Sequence, residues 1–207
     1  SFADLCAALV IGRCVVSSTI VAIGASLGGL SACREVLWRL PRSFPAPILI
    51  AQHRAPQSEP ILAGLLSSEN GPPVTEPDDK APILPGHAYV APSNYHMLVE
   101  HGGATIALST DPPVHHARPS IDVLFESLAS SVGARSVAIV LTGASDDGAR
   151  GALSVKNAGG KVIVQSPEQA ESNVAPLAAL KLLRPDAVLD VEKIAELLCQ
   201  WLPERIS

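Results

Sequence analysis

The sequence predicts an α/β fold with a doubly wound, mainly parallel sheet, helices on both faces and an antiparallel hairpin extension. Four short apolar runs rich in β-branched residues are typical of strands buried on both faces: "TIVAIGAS", "APILIAQH", "SVAIVLTG" and "KVIVQS". Segments with helical spacing of apolar residues separate these runs, as the βαβ units of a parallel sheet require. The 207 residues are enough to bury one such core.

The first half of the chain alternates strand and helix. Residues 19–26 form the first predicted strand. A helix is predicted over residues 29–41, because apolar residues recur at helical spacing and Pro41 ends the pattern. The second strand covers residues 46–53, and residues 59–69 are predicted to be helical before the "NGPP" stop.

The second half of the chain begins with a different sequence pattern. Residues 87–109 alternate between apolar and polar and contain turn signals at "PSN" and "HGG", which predicts antiparallel hairpins. Ser120 is the predicted N-cap of the next helix. The remaining predicted elements are a helix over 120–133, a strand over 136–143, a helix over 146–160, a strand over 161–166, a helix over 174–183, a short extended piece over 187–191 and a helix over 191–202.

Charge and composition exclude several function classes. The net charge is −5 and no Lys/Arg cluster occurs, so a nucleic acid is not expected as a partner. Only 3% of the residues are aromatic, which leaves few side chains for base stacking. The apolar stretch "LCAALVIGRCVV" is interrupted by Gly12 and Arg13, so we expect no membrane insertion.

Cysteine usage favours a reducing compartment. Cys6, Cys14, Cys33 and Cys199 form no CxxC pair and no disulfide framework, so we predict apolar filler and a cytoplasmic location. We expect residues 1–18 to be an N-terminal segment or linker remnant and residues 19–207 to be the functional domain.

Candidate catalytic residues follow the predicted strands. In an open parallel sheet, ligands bind beyond the carboxyl ends of the strands. Ser26 follows the first strand, His53 the second, and Asp146 and Asp147 the third. Each alone is more typical of a cap or a structural hydrogen bond. Together they supply a nucleophile, a general base and an orienting carboxylate, which favours a serine hydrolase.

A nucleotide-binding α/β domain is the first alternative. The glycines after the first strand follow the pattern G-x-x-x-G-G instead of G-x-G-x-x-G, and His53 stands where an acidic residue would hold a ribose. "GASLG" matches the elbow of α/β-hydrolases, but the order Ser, His, Asp differs from theirs. His115 and His116 are adjacent and lack a third ligand, so we predict a solvated loop and no metal.

Six collinear motifs carry a family resemblance. They are "VAIGASLGGL", "ILIAQH", "PGHAYVAPSNYHM", "RPSIDVLFES", "IVLTGASDDGARGA" and "GGKVIVQSPEQA", and they cover nearly all of residues 19–183. The chain resembles the catalytic domain of the chemotaxis protein-glutamate methylesterases, the CheB family. The resemblance implies a serine hydrolase that demethylates γ-glutamyl methyl esters on cytoplasmic chemoreceptor helices, deamidates receptor glutamines and needs no metal or organic cofactor.

The resemblance also assigns roles to individual residues. The family's nucleophile falls on Ser26, its histidine on His53 and its aspartate on Asp147. In the mechanism we expect for such a triad, the backbone N–H groups of Leu27 and of the Ala144 turn would stabilise the oxyanion. We also expect Gly28 and Gly29 to let a bulky receptor helix approach the backbone closely.

Departures from the family pattern keep a second alternative open. Asp146 stands where the family usually has Asn, Leu27 where it has Thr or another small residue, and Ala144 where Met is common. A catalytically silent receptor-binding module would keep the fold but lose the triad. Full-length family members also carry a receiver domain, and residues 1–18 are too few to form one. We therefore expect either that a receiver was removed or that this is a stand-alone member regulated otherwise, for example by a receiver supplied elsewhere.

Overall fold

The computed structural model describes residues 19–203, so the predicted N-terminal segment over 1–18 lies outside the described residues. The strands are β1 (Ile20–Ala25), β2 (Ile48–Gln52), β3 (Val74–Thr75), β4 (Ala88–Val90), β5 (His96–Val99), β6 (Ile106–Ser109), β7 (Ser136–Val140), β8 (Lys161–Gln165) and β9 (Ala187–Leu189). The α-helices are α1 (Gly29–Arg39), α2 (Leu62–Leu66), α3 (Ile121–Val132), α4 (Ala149–Asn157), α5 (Val174–Leu182) and α6 (Val191–Trp201).

The main sheet has seven strands in the order β3-β4-β2-β1-β7-β8-β9, and every neighbouring pair is parallel. The chain runs outward from β1 through β2 to one edge, then returns to β7 on the other side of β1 and continues to β9. This reversal confirms the predicted doubly wound topology. It also places the end of β1 at the switch point, where ligands bind in such sheets.

The hairpin prediction was partly wrong. The segment "HAYV" was predicted to belong to a hairpin, but β4 pairs parallel with both β2 and β3 in the main sheet. All three of its residues are buried, which fits a central strand better than an exposed hairpin. The antiparallel pair is β5 with β6, and it forms a separate two-stranded sheet.

The helix predicted over residues 59–69 is shorter than expected. It spans only Leu62–Leu66. The Ser67 hydroxyl donates a 2.8 Å hydrogen bond to the carbonyl of Ala63, and the backbone of Ser67 is extended. This local hydrogen bond satisfies a carbonyl at the helix end and accompanies the early stop.

Strand residues alternate between two helical layers. Ile20 and Ala22 face the core formed with α3, α4 and α5, whereas Val21 and Ile23 face the core formed with α1, α2 and α6. Gly24 allows α3 to lie directly on β1, because a Cβ there would stand 2.1 Å from Cγ2 of Ile121. Among residues 19–203, no helix is both long enough and apolar enough to cross a membrane.

The structure describes two cysteines, Cys33 and Cys199. Cys33 lies on the buried face of α1, and burial raises the pKa of its thiol to about 12. A thiol with so high a pKa is unreactive at neutral pH, which agrees with its predicted role as apolar filler.

Candidate active site

Ser26 lies between the carboxyl ends of β2 and β7. Ala25 and Gln52 are partners in the parallel ladder, so Ser26 and His53 occupy the next positions on adjacent strands. The His53 amide donates a 3.0 Å hydrogen bond to the carbonyl of Ala25, and the Ser26 amide donates one of 3.0 Å to the carbonyl of Thr142. The backbone therefore holds Ser26 from both sides, and the serine itself is half-buried.

His53 is paired with Asp147. The distance from His53 Nε2 to Asp147 Oδ2 is 2.7 Å, and the His53 side chain is only 15% exposed. Since an ionised carboxylate only accepts hydrogen bonds, Nε2 carries the hydrogen and Nδ1 is left with the lone pair of a base. Within residues 19–203, no hydrogen bond joins the Ser26 hydroxyl to His53, and such bonds commonly tighten only when substrate is bound.

The Asp147 carboxylate sits at the N-terminus of α3. Its oxygens accept hydrogen bonds from the amides of Ile121 (2.8 Å) and Asp122 (2.9 Å) and from the hydroxyl of Ser120 (2.9 Å). Burial alone would raise the pKa of Asp147, but the hydrogen bonds from His53 and from these two amides outweigh it, so the pKa lies below its ordinary value. Asp147 therefore stays ionised beside His53 at neutral pH.

Within residues 19–203, Asp146 makes no hydrogen bond or ion pair with His53. Its side chain is 70% exposed, and Oδ1 lies 3.5 Å from Nδ1 of His115. The other ring nitrogen of His115, Nε2, lies 3.3 Å from Oδ2 of Asp122. The loop with His115 and His116 is exposed as expected, but His115 also bridges two carboxylates.

His115, Asp122 and Asp147 bring three potential ligand atoms within 4.8 Å of one another. The two aspartates already accept protein hydrogen bonds: Asp122 Oδ1 accepts the amides of Gly148 (2.9 Å) and Gly151 (2.7 Å), and both Asp147 oxygens are engaged. Burial and the neighbouring Asp147 charge raise the pKa of Asp122 despite these amides and His115. The cluster is thus organised as a hydrogen-bond network, and a cation would compete with these donors.

Gly28 and Gly29 are explained by packing within the chain. Gly28 is left-handed, with φ +75°, and a Cβ on it would stand 2.6 Å from Glu171 Oε2. A Cβ on Gly29 would stand 2.1 Å from Gln52 Oε1. We expected open space for a substrate at these glycines, but the protein's own side chains occupy it.

The two expected oxyanion donors are available. Leu27 and Ala144 are exposed, and neither amide donates a hydrogen bond within the described residues. The carbonyl of Leu27 accepts a 2.9 Å hydrogen bond from the Thr142 hydroxyl, which fixes the turn after β1. The unpaired amides lie on the turns that flank Ser26.

Gly143 packs directly against the serine. A Cβ on Gly143 would stand 3.0 Å from Cβ of Ser26 and 3.2 Å from Cβ of Ala175. Gly143 ends the strand predicted over residues 136–143, and the sequence pattern predicts no role for it. Its missing side chain leaves the room that Ser26 occupies.

Gln52 is a further site residue that the sequence analysis missed. Its Nε2 donates to the carbonyls of Ser26 (2.8 Å) and His53 (3.1 Å) and so ties the two catalytic candidates together. The available sequence signal is its position: a buried amide side chain that ends an otherwise apolar strand needs polar partners.

Comparison with known proteins decides the family. A family model described as CheB methylesterase matches residues 21–198. The chain belongs to the CheB methylesterase family. Its fold is also that of the Thermotoga maritima CheB methylesterase catalytic domain, with a TM-score of 0.86 and 32% identity over 90% of this chain and 100% of that one.

Curated members of the CheB family are similar over most of this chain. A Hahella chejuensis protein-glutamate methylesterase/protein-glutamine glutaminase is 41% identical, covering 89% of this chain and 52% of the relative. The Salmonella typhimurium protein of that name is 37% identical, covering 89% and 53%. A Leptospira interrogans protein that carries the name as a provisional assignment is 39% identical, covering 86% and 91%. The chain thus spans about half the length of the first two relatives and nearly all of the third.

Proposed function

We propose that this CheB-family chain is a serine hydrolase that demethylates glutamate γ-methyl esters on chemoreceptors and deamidates receptor glutamines. The observation that carries the proposal is the position of Ser26 beside His53, whose Nε2 is held by Asp147 at 2.7 Å. Relatives that are 37–41% identical are named for both activities.

In the proposed first half-reaction, Ser26 Oγ attacks the ester carbonyl carbon while His53 Nδ1 takes the hydroxyl proton. Asp147 stabilises the imidazolium and keeps the ring oriented. The bond between the ester carbonyl carbon and the methoxy oxygen then breaks. The proton on Nδ1 passes to that oxygen, and methanol departs. With a glutamine substrate, the same proton goes to the nitrogen, and ammonia departs.

The second half-reaction releases the product. Water attacks the acyl group on Ser26, His53 Nδ1 takes a proton from that water, and the serine oxygen leaves with this proton. The amides of Leu27 and Ala144 are the proposed donors to the oxyanion in both steps. One such donor contributes roughly 3 kcal/mol in serine proteases.

The proposed partners follow from the same activity. Residues 19–207 act as the methylesterase domain, and methyl-accepting receptor helices in the cytoplasm are the substrate. A receiver domain supplied elsewhere would regulate access to Ser26. The exposed turn residues Leu27 and Ala144 flank the serine, so a protein helix can approach the nucleophile from solvent.

The two alternative functions have less support. A silent receptor-binding module does not require His53 and Asp147 to be held at 2.7 Å. A nucleotide-binding loop needs free amides and room for phosphate after β1. Here the Glu171 carboxylate covers Gly28, and its negative charge would repel a phosphate.

Methanol release from a methylated receptor fragment tests the proposal. We expect Ser26→Ala and His53→Ala to remove turnover while the circular dichroism spectrum stays unchanged. Ser130→Ala is the matched control, because that serine is exposed on α3 and its hydroxyl bonds, among the described residues, only to the carbonyl of Ser127. Wild-type turnover in either active-site variant would refute the assignment.

A further inference from the structure

A cavity of about 360 Å³ opens beside His53. Its polar lining is cationic or neutral: two arginines and three histidines contribute to it, and no carboxylate of residues 19–203 does. These five residues are Arg54, Arg118, His53, His115 and His116. The chain as a whole has a net charge of −5, so a cationic cavity lining next to the reacting residues points to an anionic ligand.

Arg54 has hydrogen-bonding capacity that the protein does not use. Its side chain is only 8% exposed. Nη2 donates to Glu76 Oε1 and to the carbonyl of Ala91, both at 2.9 Å. Nε and Nη1 are buried and have no partner among the described residues. Buried donors of a charged group are costly to leave unpaired, so this arrangement requires an explanation.

Arg118 and Ser145 contribute to the cavity in different ways. Arg118 donates through Nε and Nη2 to Asn94 and through Nη1 to the carbonyls of Thr110 and Asp111, so it supplies charge more than free donors. Ser145 Oγ lines the cavity and, like the two Arg54 nitrogens, is buried without a partner.

No nearby carboxylate of the described residues accepts a hydrogen bond from Nε or Nη1 of Arg54 or from the Ser145 hydroxyl. Glu76 pairs with Arg54 through Nη2 only. Asp122 and Asp146 contact His115, and Asp147 contacts His53. None of the four lines the cavity.

We propose that this cavity binds a carboxylate of the substrate, an acidic side chain that flanks the glutamyl methyl ester, through the free N–H groups of Arg54. This inference rests on the proposed function and names its substrate class: methyl esters within an acidic segment. Arg–carboxylate hydrogen bonds are among the strongest in proteins, and burial strengthens them. On a helical substrate, residues three or four positions from the ester lie on the same face and come within reach of the cavity.

A binding experiment tests the inference without relying on catalysis. Ser26→Ala protein is titrated calorimetrically with helical peptides that contain one glutamyl methyl ester. A single glutamate is moved through each position within one turn on either side of the ester, and each peptide is paired with its glutamine counterpart. We expect one position at which glutamate binds about tenfold more tightly than glutamine. Equal affinities at every position would overturn the inference.

Variants of Arg54 test whether this residue causes the preference for glutamate. In the Ser26→Ala background, Arg54→Met should abolish the preference for glutamate and change the affinity for the glutamine peptide less than threefold. Arg39→Met removes the same charge from an exposed pair with Glu35 and should keep the preference. If Arg54→Met does not fold, Arg54→Met/Glu76→Gln avoids leaving Glu76 unpaired. A preference that survives the loss of Arg54 would refute the assignment.

Hydrolysis of the same peptides separates the two proposals. Failure of wild-type protein to release methanol from any peptide or receptor fragment would refute the proposed function, whatever the binding result. Release at equal kcat/KM from glutamate and glutamine peptides would refute the carboxylate site and leave the esterase proposal intact. We expect about tenfold higher kcat/KM for the glutamate peptide, with most of the difference in KM.

Discussion

His53 donates to Asp147 through Nε2, over 2.7 Å, so Nδ1 is the nitrogen left to act on Ser26. The chymotrypsin-type triad uses the ring the other way round, with Nδ1 on the aspartate and Nε2 on the serine. The difference follows from the fold. His53 directly follows β2, and Asp147 reaches it from the turn before α4, where the N-terminus of α3 holds its carboxylate.

The first prediction separates the neighbouring aspartates. Asp147→Asn places an amide among four donors, and its NH₂ facing Nε2 would favour the tautomer with hydrogen on Nδ1. We expect kcat to fall by several orders of magnitude; the corresponding change costs about 10⁴ in serine proteases. Asp146→Asn is the matched control and should change kcat less than about threefold, because exposed ion pairs are weak. Methanol release by both variants shows which aspartate is needed for catalysis. If Asp146→Asn is the inactive variant, the assignment of the pair is wrong.

The second prediction concerns Gln52, whose amide holds the carbonyls of Ser26 and His53. Gln52→Leu keeps a similar volume but removes both hydrogen bonds. We expect kcat to fall about 10- to 100-fold with little change in KM, because small displacements of reacting groups are costly. Gln200→Leu, on the exposed face of α6, should leave both constants unchanged. A higher KM with wild-type kcat would show that Gln52 acts on binding instead.

Much of the fold was predictable because long apolar runs specify buried strands. β1, β2, β7 and β8 all fall within predicted strands. β3 has only two residues, Val74 and Thr75, which is too short for any periodicity to appear. β4 was misassigned because its three residues precede genuine turn signals, and its parallel partners are distant in sequence.

The candidate site was predictable only in part. Ser26, His53 and Asp147 all follow strands that meet at one edge, so topology alone brings them close. Ser120 was predicted as an N-cap, and its hydroxyl does accept a hydrogen bond from the Val123 amide. That the same hydroxyl also donates to Asp147, 27 residues away, depends on how α3 packs on β1, which no local pattern reveals.

The third prediction uses the opposite pKa shifts of Asp147 and Asp122. The pKa of Asp147 is lowered on folding, so its stabilisation is complete above the unfolded value of about 3.9 and is lost as the pH falls through the lower folded pKa. The pKa of Asp122 is raised, so ionising it costs stability as the pH rises from about 3.9 through the folded pKa.

The Asn substitutions of these two aspartates should therefore affect the free energy of unfolding differently. At pH 7, Asp147→Asn should lower the free energy of unfolding by about 1–3 kcal/mol, and this deficit should shrink below pH 4. Asp122→Asn keeps an oxygen for the amides of Gly148 and Gly151 and should not lower stability at pH 7. Urea denaturation between pH 3 and pH 7 measures both. A deficit for Asp147→Asn that is independent of pH would contradict the assigned shift.

The last prediction concerns the contact between Gly143 and Ser26. In Gly143→Ala, the new methyl group meets Cβ of Ser26 at 3.0 Å and Cβ of Ala175 at 3.2 Å, and neither atom is the flexible end of a long side chain. The turn after β1 must therefore yield, and Ser26 moves relative to His53. We expect kcat to fall about 10- to 100-fold, with a loss of about 1–3 kcal/mol in the free energy of unfolding from overpacking.

Gly64→Ala is the matched control, because a Cβ there meets nothing within 4 Å. At this exposed position of α2 the substitution should add up to about 1 kcal/mol of stability without changing kcat. Wild-type kcat in Gly143→Ala, measured by methanol release beside Gly64→Ala, would mean that Ser26 tolerates this displacement and that Gly143 does not position the nucleophile.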